Sequence, residues 1–400
     1  MHLGISLTGI VYIVMTGFMA AAAMNLQANL LFGVLGLMIG VFVVAWVISR
    51  SVLRRLRVRR LLPEHAVVGT PVTLLYEFAN GKRFWPSLSV TLGEIDAAEA
   101  FVKQPLAYML HAAPRTTATV PTELIPKRRG LHVFDRFELS TSFPFGFVRR
   151  NRTGRQHETV LIFPAIGKVD PKLLQMCQSA DRSGATMRPR RGGDDEFYGV
   201  KEFRAGENPK SIYWRRSART GVLVSKEMTQ VSPPKLLILV DTFLRDRSVA
   251  EHVAVEKAIA MAASLASHAL AAGLMVGLYT WADEWLGIHP NRGKRHRVDV
   301  LAQLARLPLN TTHDTESLLQ ASREFFQSGA TPVLVSPREF QSGLTDPGRS
   351  NLIVVSAVSP QSQEWFTFDS GINFSTSMPW NQQPVEQKRE VRRKKRERGK

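Results

Sequence analysis

Three glutamates in an arginine-rich segment, residues 193–228, are the side chains of this sequence best suited to acid–base chemistry. Glu202, Glu207 and Glu227 could each donate or accept a proton, because a carboxyl group held beside a substrate can act as a general acid or base. The same segment carries several arginines, and a carboxylate beside a guanidinium forms an ion pair. We therefore favour ion pairing, for example between Glu202 and Arg219, over catalysis.

The single cysteine, Cys177, offers little further chemistry. It lies in the amphipathic sequence LLQMCQSAD, which favours a structural thiol over a nucleophile. One cysteine excludes an internal disulfide framework and a cysteine-based zinc or iron–sulfur cluster within one chain. The sequence also has no G-x-x-x-x-G-K-[ST] phosphate loop, no H-E-x-x-H zinc helix and no G-x-S-x-G turn. These features favour a protein that is not an enzyme and that binds no cofactor.

A strand, a short helix and a second strand are expected to position the glutamates. Asn208 can cap the helix, and the proline after it suits the first helical position. Residues 211–220 can then form two to three turns, and Gly221 ends the helix. Trp214 is expected to anchor this helix in a core.

The apolar pattern divides the remaining soluble part of the chain. Between residues 61 and 166, short alternating apolar and polar runs are separated by proline and glycine, which predicts a small β-sandwich. Residues 167–233 are interpreted as a connector that contains the arginine-rich segment. Between residues 234 and 375, buried-strand runs such as KLLILVD alternate with helical sequences, which predicts a doubly wound parallel α/β domain.

Two uncharged segments of twenty residues, 5–24 and 30–49, precede these domains. Each is long enough as a helix to cross the ~30 Å core of a bilayer, so we predict a transmembrane hairpin over residues 1–50. A cleaved signal peptide is less favoured, because no Lys or Arg precedes the first segment and a second one follows. Gly36 and Gly40 have the small-residue spacing of closely packed membrane helices, although glycine merely tolerated in a span gives the same pattern.

The charge is concentrated near the membrane and at the end of the sequence. With 52 Lys and Arg against 34 Asp and Glu, the net charge is +18, and twelve of these charges lie in the juxtamembrane stretch and in residues 386–400. Uncompensated arginine beside a span stays in the cytoplasm, so both termini and the soluble domains are expected to be cytoplasmic, at the inner membrane. The juxtamembrane segment, residues 51–60 with the arginine before it, is expected to face lipid through Arg50, Arg54, Arg55, Arg57, Arg59 and Arg60.

The last segment, residues 376–400, is expected to be a disordered basic tail. Beside a membrane, such a tail is attracted to anionic lipid. Nucleic acid is a competing partner, but no aromatic residue of 386–400 is available to stack on bases, which disfavours it. A solvated tail without a partner is the plain alternative.

The arginine-rich segment contains Glu196, Phe197, Glu202, Gly206, Ile212, Trp214, Ser217, Ala218 and Arg219. With these residues it resembles the pattern E-F-x-x-x-R-E-Y-x-x-G-D-x-x-R-x-I-x-W-x-x-S-A-R of bacterial membrane proteins that carry the domain of unknown function 58. The family's other pattern positions are occupied here by Lys201, Phe203, Glu207 and Lys210. Two further elements typical of the family are present as Arg129-Gly130 and Pro144-Phe145-Gly146. The motif is expected to be structural, bracing the two soluble domains, rather than a direct contact site.

The resemblance implies a von Willebrand factor type A-like domain over residues 234–375. Such domains often bind a divalent cation through D-x-S-x-S after the first strand, because hard oxygen ligands converge there. Here Asp241 is present, but Phe243 and Arg245 occupy the serine positions, and the later strand ends at Ser336 without the expected aspartate. We expect this metal site to be lost, with only a distorted remnant through Thr242 and Asp246 as an alternative.

The resemblance also implies a function, since members of the family are commonly associated with MoxR-type AAA+ ATPases. The leading hypothesis is a membrane-anchored cytoplasmic scaffold or adaptor that mediates protein–protein interactions, with such an ATPase as its partner. A small-molecule substrate is not expected. The alternatives are a protein that binds nucleic acid or anionic lipid through its basic segments, and an unrecognised hydrolase that uses the acidic residues of the central motif.

Overall fold

The computed structural model of the 400-residue chain describes residues 2–26, 28–184, 191–204, 208–229, 234–246, 248–323, 330–339 and 352–375. The chain divides into two compact units. Unit 1 comprises Met1–Ile166, Leu301–Leu307 and Phe368–Lys400. Unit 2 comprises Gly167–Val300 and Pro308–Thr367.

Unit 1 begins with a short strand and two long apolar helices. The strand is β1 (His2–Ile5), and the helices are α1 (Leu7–Leu26) and α2 (Asn29–Val52). Both helices are long and apolar enough to cross a membrane, and only 11% and 6% of their most apolar windows are buried. The predicted pair of apolar helices is therefore confirmed, with boundaries shifted by a few residues.

The two apolar helices contact each other without using the predicted pair of glycines. The Tyr12 hydroxyl on α1 donates to the backbone carbonyl of Met38 on α2 at 3.1 Å. A Cβ atom added at Gly36 or Gly40 would meet no described atom within 4 Å. The small-residue spacing therefore does not pack α1 against α2.

The strands that follow the hairpin form two sheets. They are β2 (Leu56–Leu61), β3 (His65–Val67), β4 (Val72–Asn80), β5 (Ser87–Glu94), β6 (Leu106–Ala112), β7 (Thr117–Leu124), β8 (Gly130–Thr141) and β9 (Val148–Phe163), with a 3-10 turn at Ala97–Ala100. One sheet has the order β1-β9-β8-β5-β6, with β3 parallel to β9, and the other has the order β2-β4-β7. The strand-rich character predicted for residues 61–166 is confirmed, whereas the pairing of β1 with β9 was not foreseen.

A buried ion pair joins the two sheets face to face. Arg60 on β2 donates from Nε to Glu94 Oε1 at 2.8 Å and from Nη2 to Oε2 at 3.0 Å, and both side chains are fully buried. Arg60 Nη1 also donates to the carbonyls of Phe134 and Gln156 in the opposite sheet.

Arg60 therefore does not face lipid, and this part of the sequence interpretation is wrong. The juxtamembrane segment is not a separate element either, because α2 continues to Val52 and β2 already begins at Leu56. A buried guanidinium needs a carboxylate and further acceptors, and Glu94 with two carbonyl groups supplies them. Arg54, Arg55, Arg57 and Arg59 are exposed, as is Arg50 in the last turn of α2.

Unit 2 contains the remaining elements. The strands are β10 (Lys168–Val169), β11 (Arg191–Glu202), β12 (Val224–Thr229), β13 (Lys235–Val240), β14 (Met275–Trp281), β15 (Trp285–Asn291), β16 (Thr331–Ser336), β17 (Ile353–Ser356) and β18 (Phe366–Thr367). The helices are α3 (Pro171–Gly184), α4 (Trp214–Thr220), α5 (Val249–Ala271), α6 (Lys294–Arg306), α7 (Thr315–Ala321) and α8 (Pro360–Trp365), with a 3-10 turn at Pro209–Ser211.

The largest sheet of unit 2 has the order β15-β14-β13-β16-β17. Its last four strands are parallel and β15 is antiparallel to β14, so alternating strands and helices build a mixed sheet. Helix α5 also meets the length and apolarity of a membrane span, but 72% of its apolar window is buried, which makes it a core helix.

Cys177 lies on α3 and is 1% exposed. Burial raises the pKa of its thiol to about 12, so the thiolate needed for nucleophilic attack is not formed at neutral pH. This burial agrees with the interpretation of Cys177 as a structural thiol.

Candidate functional site

The end of α2 is capped by a buried lysine of unit 1. Lys82 Nζ donates to the carbonyls of Ser51 and Val52 at 3.0 Å, to the carbonyl of Pro86 at 3.1 Å and to Ser87 Oγ at 2.8 Å. Carbonyls in the last turn of a helix have no partner within the helix and attract a positive charge. Lys82 is only 6% exposed, and desolvation lowers its pKa to about 8.

Two arginines of β9 hold the same end of α2. Arg152 donates to the carbonyls of Leu53 and Leu56, both at 2.9 Å. Arg150, which is 8% exposed, donates from Nε to Ser49 Oγ at 3.1 Å. Together with Lys82, these bonds join α2 to the strands of unit 1 without a flexible linker.

The start of α1 is attached to the same sheet. Strand β1 pairs with the first residues of β9, and the amide of Ser6 donates to the carbonyl of Phe147 at 3.0 Å. The Tyr12 ring stacks on the Phe147 ring, with centroids 4.3 Å apart. A Cβ atom at Gly9 would collide with the Phe147 carbonyl oxygen, so this position of α1 requires glycine.

Substitution of Gly9 by alanine is expected to lower the free energy of unfolding of unit 1 by about 1–3 kcal/mol, since a methyl group must displace backbone at Phe147. Thermal unfolding in detergent micelles measures the effect. Gly17→Ala on the same helix is the matched control, because no described atom lies within 4 Å of the added Cβ. Equal melting temperatures for the two variants would contradict the close approach of α1 to Phe147.

The arginine-rich segment folds as a hairpin and a short helix. Strands β11 and β12 pair antiparallel, and α4 follows the 3-10 turn. Asn208 accepts from the amide of Lys210 and so caps the 3-10 turn, whereas α4 begins only at Trp214, later than the predicted helix over residues 211–220. Gly221, with φ +71°, ends α4 by donating to the Ser217 carbonyl, as predicted. Ser217 is 7% exposed, and its hydroxyl accepts from the amide of Val224 at 2.8 Å, which fixes α4 on β12.

Trp214 does not anchor α4 in a core, so that expectation is wrong. The side chain is 65% exposed, whereas Ile212, two residues earlier, is 9% exposed and forms the isolated bridge to Ser225. Helix α4 has only seven residues and is fixed to β12 through Ser217. The Trp214 indole is therefore not needed to hold the helix, and it faces outward. Val222 and Leu223 after the helix are 51% and 47% exposed.

The other motif residues are brought together only in part. Ala218, Arg219 and Glu202 are exposed, and among the described residues no salt bridge joins Arg219 to Glu202. The side chains of three further residues lie outside the described part of the chain: Glu196 and Phe197 on β11, and Glu227 on β12. Gly206 and Glu207 lie outside the described residues altogether.

Asp241 lies at the carboxyl edge of the parallel strands and is 2% exposed. Its Oδ1 accepts from the amide of Phe243 at 2.9 Å, and its Oδ2 accepts from Thr315 Oγ1 at 2.6 Å and from Ser336 Oγ at 3.2 Å. Burial raises the pKa of Asp241, and these hydrogen bonds partly oppose the shift. Sequence reasoning did not connect Thr315 to Asp241, because 74 positions separate them.

A guanidinium lies beside this carboxylate. Arg338 donates to both oxygens of Glu251, at 3.0 and 2.7 Å, and to the carbonyl of Phe243 at 2.8 Å. Its Cζ atom is 5.1 Å from the centroid of the Phe243 ring. Arg338 contributes positive charge near Asp241, and Glu251 holds that charge in place.

This donor set does not fit a divalent cation. The Asp241 oxygens are occupied by hydrogen bonds, Phe243 offers only a backbone carbonyl that Arg338 already uses, and a fixed guanidinium would repel the ion. Thr242 is 2% exposed, and its hydroxyl has no hydrogen-bond partner among the described residues. In the described ranges, no three His, Cys, Asp or Glu side chains lie close enough to hold a metal. Arg245 is exposed and contributes no oxygen ligand from its side chain.

The described chain thus combines two helices suited to a membrane with a strand-rich unit and a mixed α/β unit. Residues 199–342 match the family model described as protein of unknown function DUF58. This part of the chain therefore carries a DUF58 domain, in agreement with the resemblance of the arginine-rich segment. No curated protein matches the chain.

Proposed function

We propose that this protein is a membrane-anchored scaffold or adaptor whose unit 2 binds a partner protein, a MoxR-type AAA+ ATPase. The exposed Trp214 carries the proposal. Tryptophan at 65% exposure is unusual outside contact surfaces, because a large aromatic ring contributes much of its binding energy when a partner covers it. Val222 and Leu223, which follow the same helix, are exposed apolar side chains as well.

We propose further that the hairpin anchors the adaptor in the inner membrane of a bacterium, with both soluble units in the cytoplasm. Support comes from the exposed arginines that follow α2, since uncompensated basic residues beside a span remain cytoplasmic. Bonds from Lys82 and Arg152 to the end of α2 support a fixed attachment of unit 1 to this anchor.

The carboxyl edge of the main sheet supports binding rather than catalysis by unit 2, which we place among von Willebrand factor type A-like domains. A reactive carboxylate needs a free oxygen for a substrate or an ion. The Asp241 oxygens already accept three hydrogen bonds, and the Arg338 guanidinium is held by Glu251. These bonds hold both side chains in place, and Glu251 pairs the charge of Arg338.

Replacing Trp214 by alanine is expected to reduce recovery of the AAA+ ATPase at least about tenfold, the effect of losing one aromatic contact of 1.4 kcal/mol or more. The measurement is affinity purification of the full-length protein from native membranes, with the ATPase quantified by mass spectrometry. Val358→Ala is the control, because Val358 is 55% exposed on the same unit and lies outside the arginine-rich segment. The proposal fails if wild type recovers no AAA+ ATPase, or if both variants recover it equally.

A further inference from the structure

Three large aromatic side chains of unit 1 are exposed in two loops. Phe84 and Trp85, in the loop between β4 and β5, are 74% and 63% exposed. Phe145, in the loop between β8 and β9, is 50% exposed. The loops, residues 81–86 and 142–147, contain no aspartate or glutamate. We refer to them as the aromatic loops.

The first aromatic loop is fixed beside the end of α2. Lys82, within this loop, binds the carbonyls of Ser51 and Val52 in the last residues of the helix. The Asn80 side chain donates to the carbonyl of Trp85 at 3.0 Å, which holds the loop on the sheet. Phe84 and Trp85 therefore emerge where α2 leaves its apolar stretch.

The second aromatic loop runs beside the first turns of α1. Ser6 donates from its hydroxyl to the carbonyl of Gly146, and the Phe147 ring stacks on Tyr12. Tyr12 lies five residues after the start of α1 at Leu7, which corresponds to roughly 7.5 Å along the helix axis. Phe147 is therefore level with an apolar part of α1, and the Phe145 ring lies 5.6 Å from the Phe147 ring.

Exposed arginines accompany the aromatic rings. The Arg83 guanidinium lies 5.0 Å from the centroid of the Phe84 ring, and Arg149 is exposed two residues after Phe147. Arg50 and Arg54 are exposed at the end of α2. Aromatic rings and basic side chains at the ends of spans are characteristic of the headgroup layer, where the rings contact acyl carbon and the guanidinium groups contact phosphate.

We propose that the aromatic loops insert into the headgroup layer of the bilayer that α1 and α2 cross, so that unit 1 contacts the membrane through folded loops as well as through its hairpin. The occupant of this surface is lipid, because both loops are bonded to helix ends that lie at the same face of the membrane. This inference rests on the proposed membrane anchoring.

Spin labels report the depth of each loop in the membrane. The full-length protein would be placed in vesicles of phosphatidylcholine and phosphatidylglycerol, with single cysteines introduced as Trp85→Cys or Phe145→Cys. Native Cys177 is buried and does not compete for the label. Leu37→Cys on α2, 69% exposed, gives the lipid reference. Leu131→Cys, 56% exposed on β8 and ten residues from its membrane end at Thr141, gives the water reference at roughly 33 Å.

The ratio of collisions with oxygen to collisions with a water-soluble nickel chelate is expected to be severalfold higher at positions 85 and 145 than at 131, and lower than at 37. Ratios at positions 85 and 145 equal to that at 131, with 37 in lipid, would overturn the inference and leave the anchor intact. Water-like ratios at positions 85 and 145 are also expected if a protein, and not lipid, covers the loops in the cell, so this alternative contradicts the inference as well. A water-like ratio at 37 would overturn both the anchor and the inference.

Discussion

Replacing Arg60 by methionine is expected to lower the free energy of unfolding of unit 1 by about 3–5 kcal/mol, the cost of leaving one member of a buried ion pair without its partner. The destabilisation arises mainly at Glu94, because its fully buried carboxylate loses the two hydrogen bonds that it accepts from Arg60. The carbonyls of Phe134 and Gln156 also lose their donor. Chemical denaturation in detergent micelles measures the change.

The exposed pair of Arg136 and Asp96 provides a matched control in the same unit. Arg136 donates to both oxygens of Asp96 at 2.7 and 3.2 Å, but the two side chains are 46% and 28% exposed. Asp96→Asn is expected to cost less than about 1 kcal/mol, because water solvates both groups. A cost for Arg60→Met no larger than that for Asp96→Asn would show that the buried pair does not join the sheets in solution.

Replacing Lys82 by methionine is expected to lower the free energy of unfolding by about 2–4 kcal/mol, because methionine fills the space but cannot donate a hydrogen bond. The carbonyls of Ser51 and Pro86 lose the Lys82 donor, while that of Val52 keeps a bond from the Ser87 hydroxyl. Lys103→Met, at an exposed position of the same unit, is the control and is expected to be nearly neutral.

The same lysine gives a pH dependence of defined sign. Desolvation lowers the pKa of Lys82 from 10.5 to about 8 in the folded protein, so the unfolded chain binds more protons between these values. Stability therefore rises with pH across that window in wild type, relative to the methionine variant, in which this group is absent. The difference in the free energy of unfolding between wild type and Lys82→Met, measured by denaturation, is expected to be larger at pH 10 than at pH 7.5. An equal difference at the two pH values would contradict the burial of a charged amine.

The sequence predicted those features that depend on local pattern. Two long apolar runs gave α1 and α2, and alternating apolar strands and helices gave the main sheet of unit 2. Gly221 was identified as a helix end because a left-handed residue is needed there, and its φ of +71° agrees.

The sequence could not predict features that depend on distant partners. Arg60 follows five other arginines and resembled them by composition, but Glu94, 34 positions later, accounts for its burial. Lys82 gave no signal, because its acceptors are backbone carbonyls and any residue type can provide them. Trp214 was assigned to a core from its residue type alone, whereas Ser217 and Ile212 hold the segment instead.

The capped end of α2 makes the orientation of unit 1 sensitive to bilayer thickness. In the proposed anchor, the uncharged stretch of α2, residues 30–49, is ~30 Å long and matches the hydrocarbon layer of a typical membrane, so a thinner membrane would require the helix to tilt. Lys82, Arg150 and Arg152 fix its last turn to the sheets, so a change in the tilt of the helix also rotates the strands of unit 1. A thinner membrane would tilt the helix and rotate the attached strands of unit 1 with it.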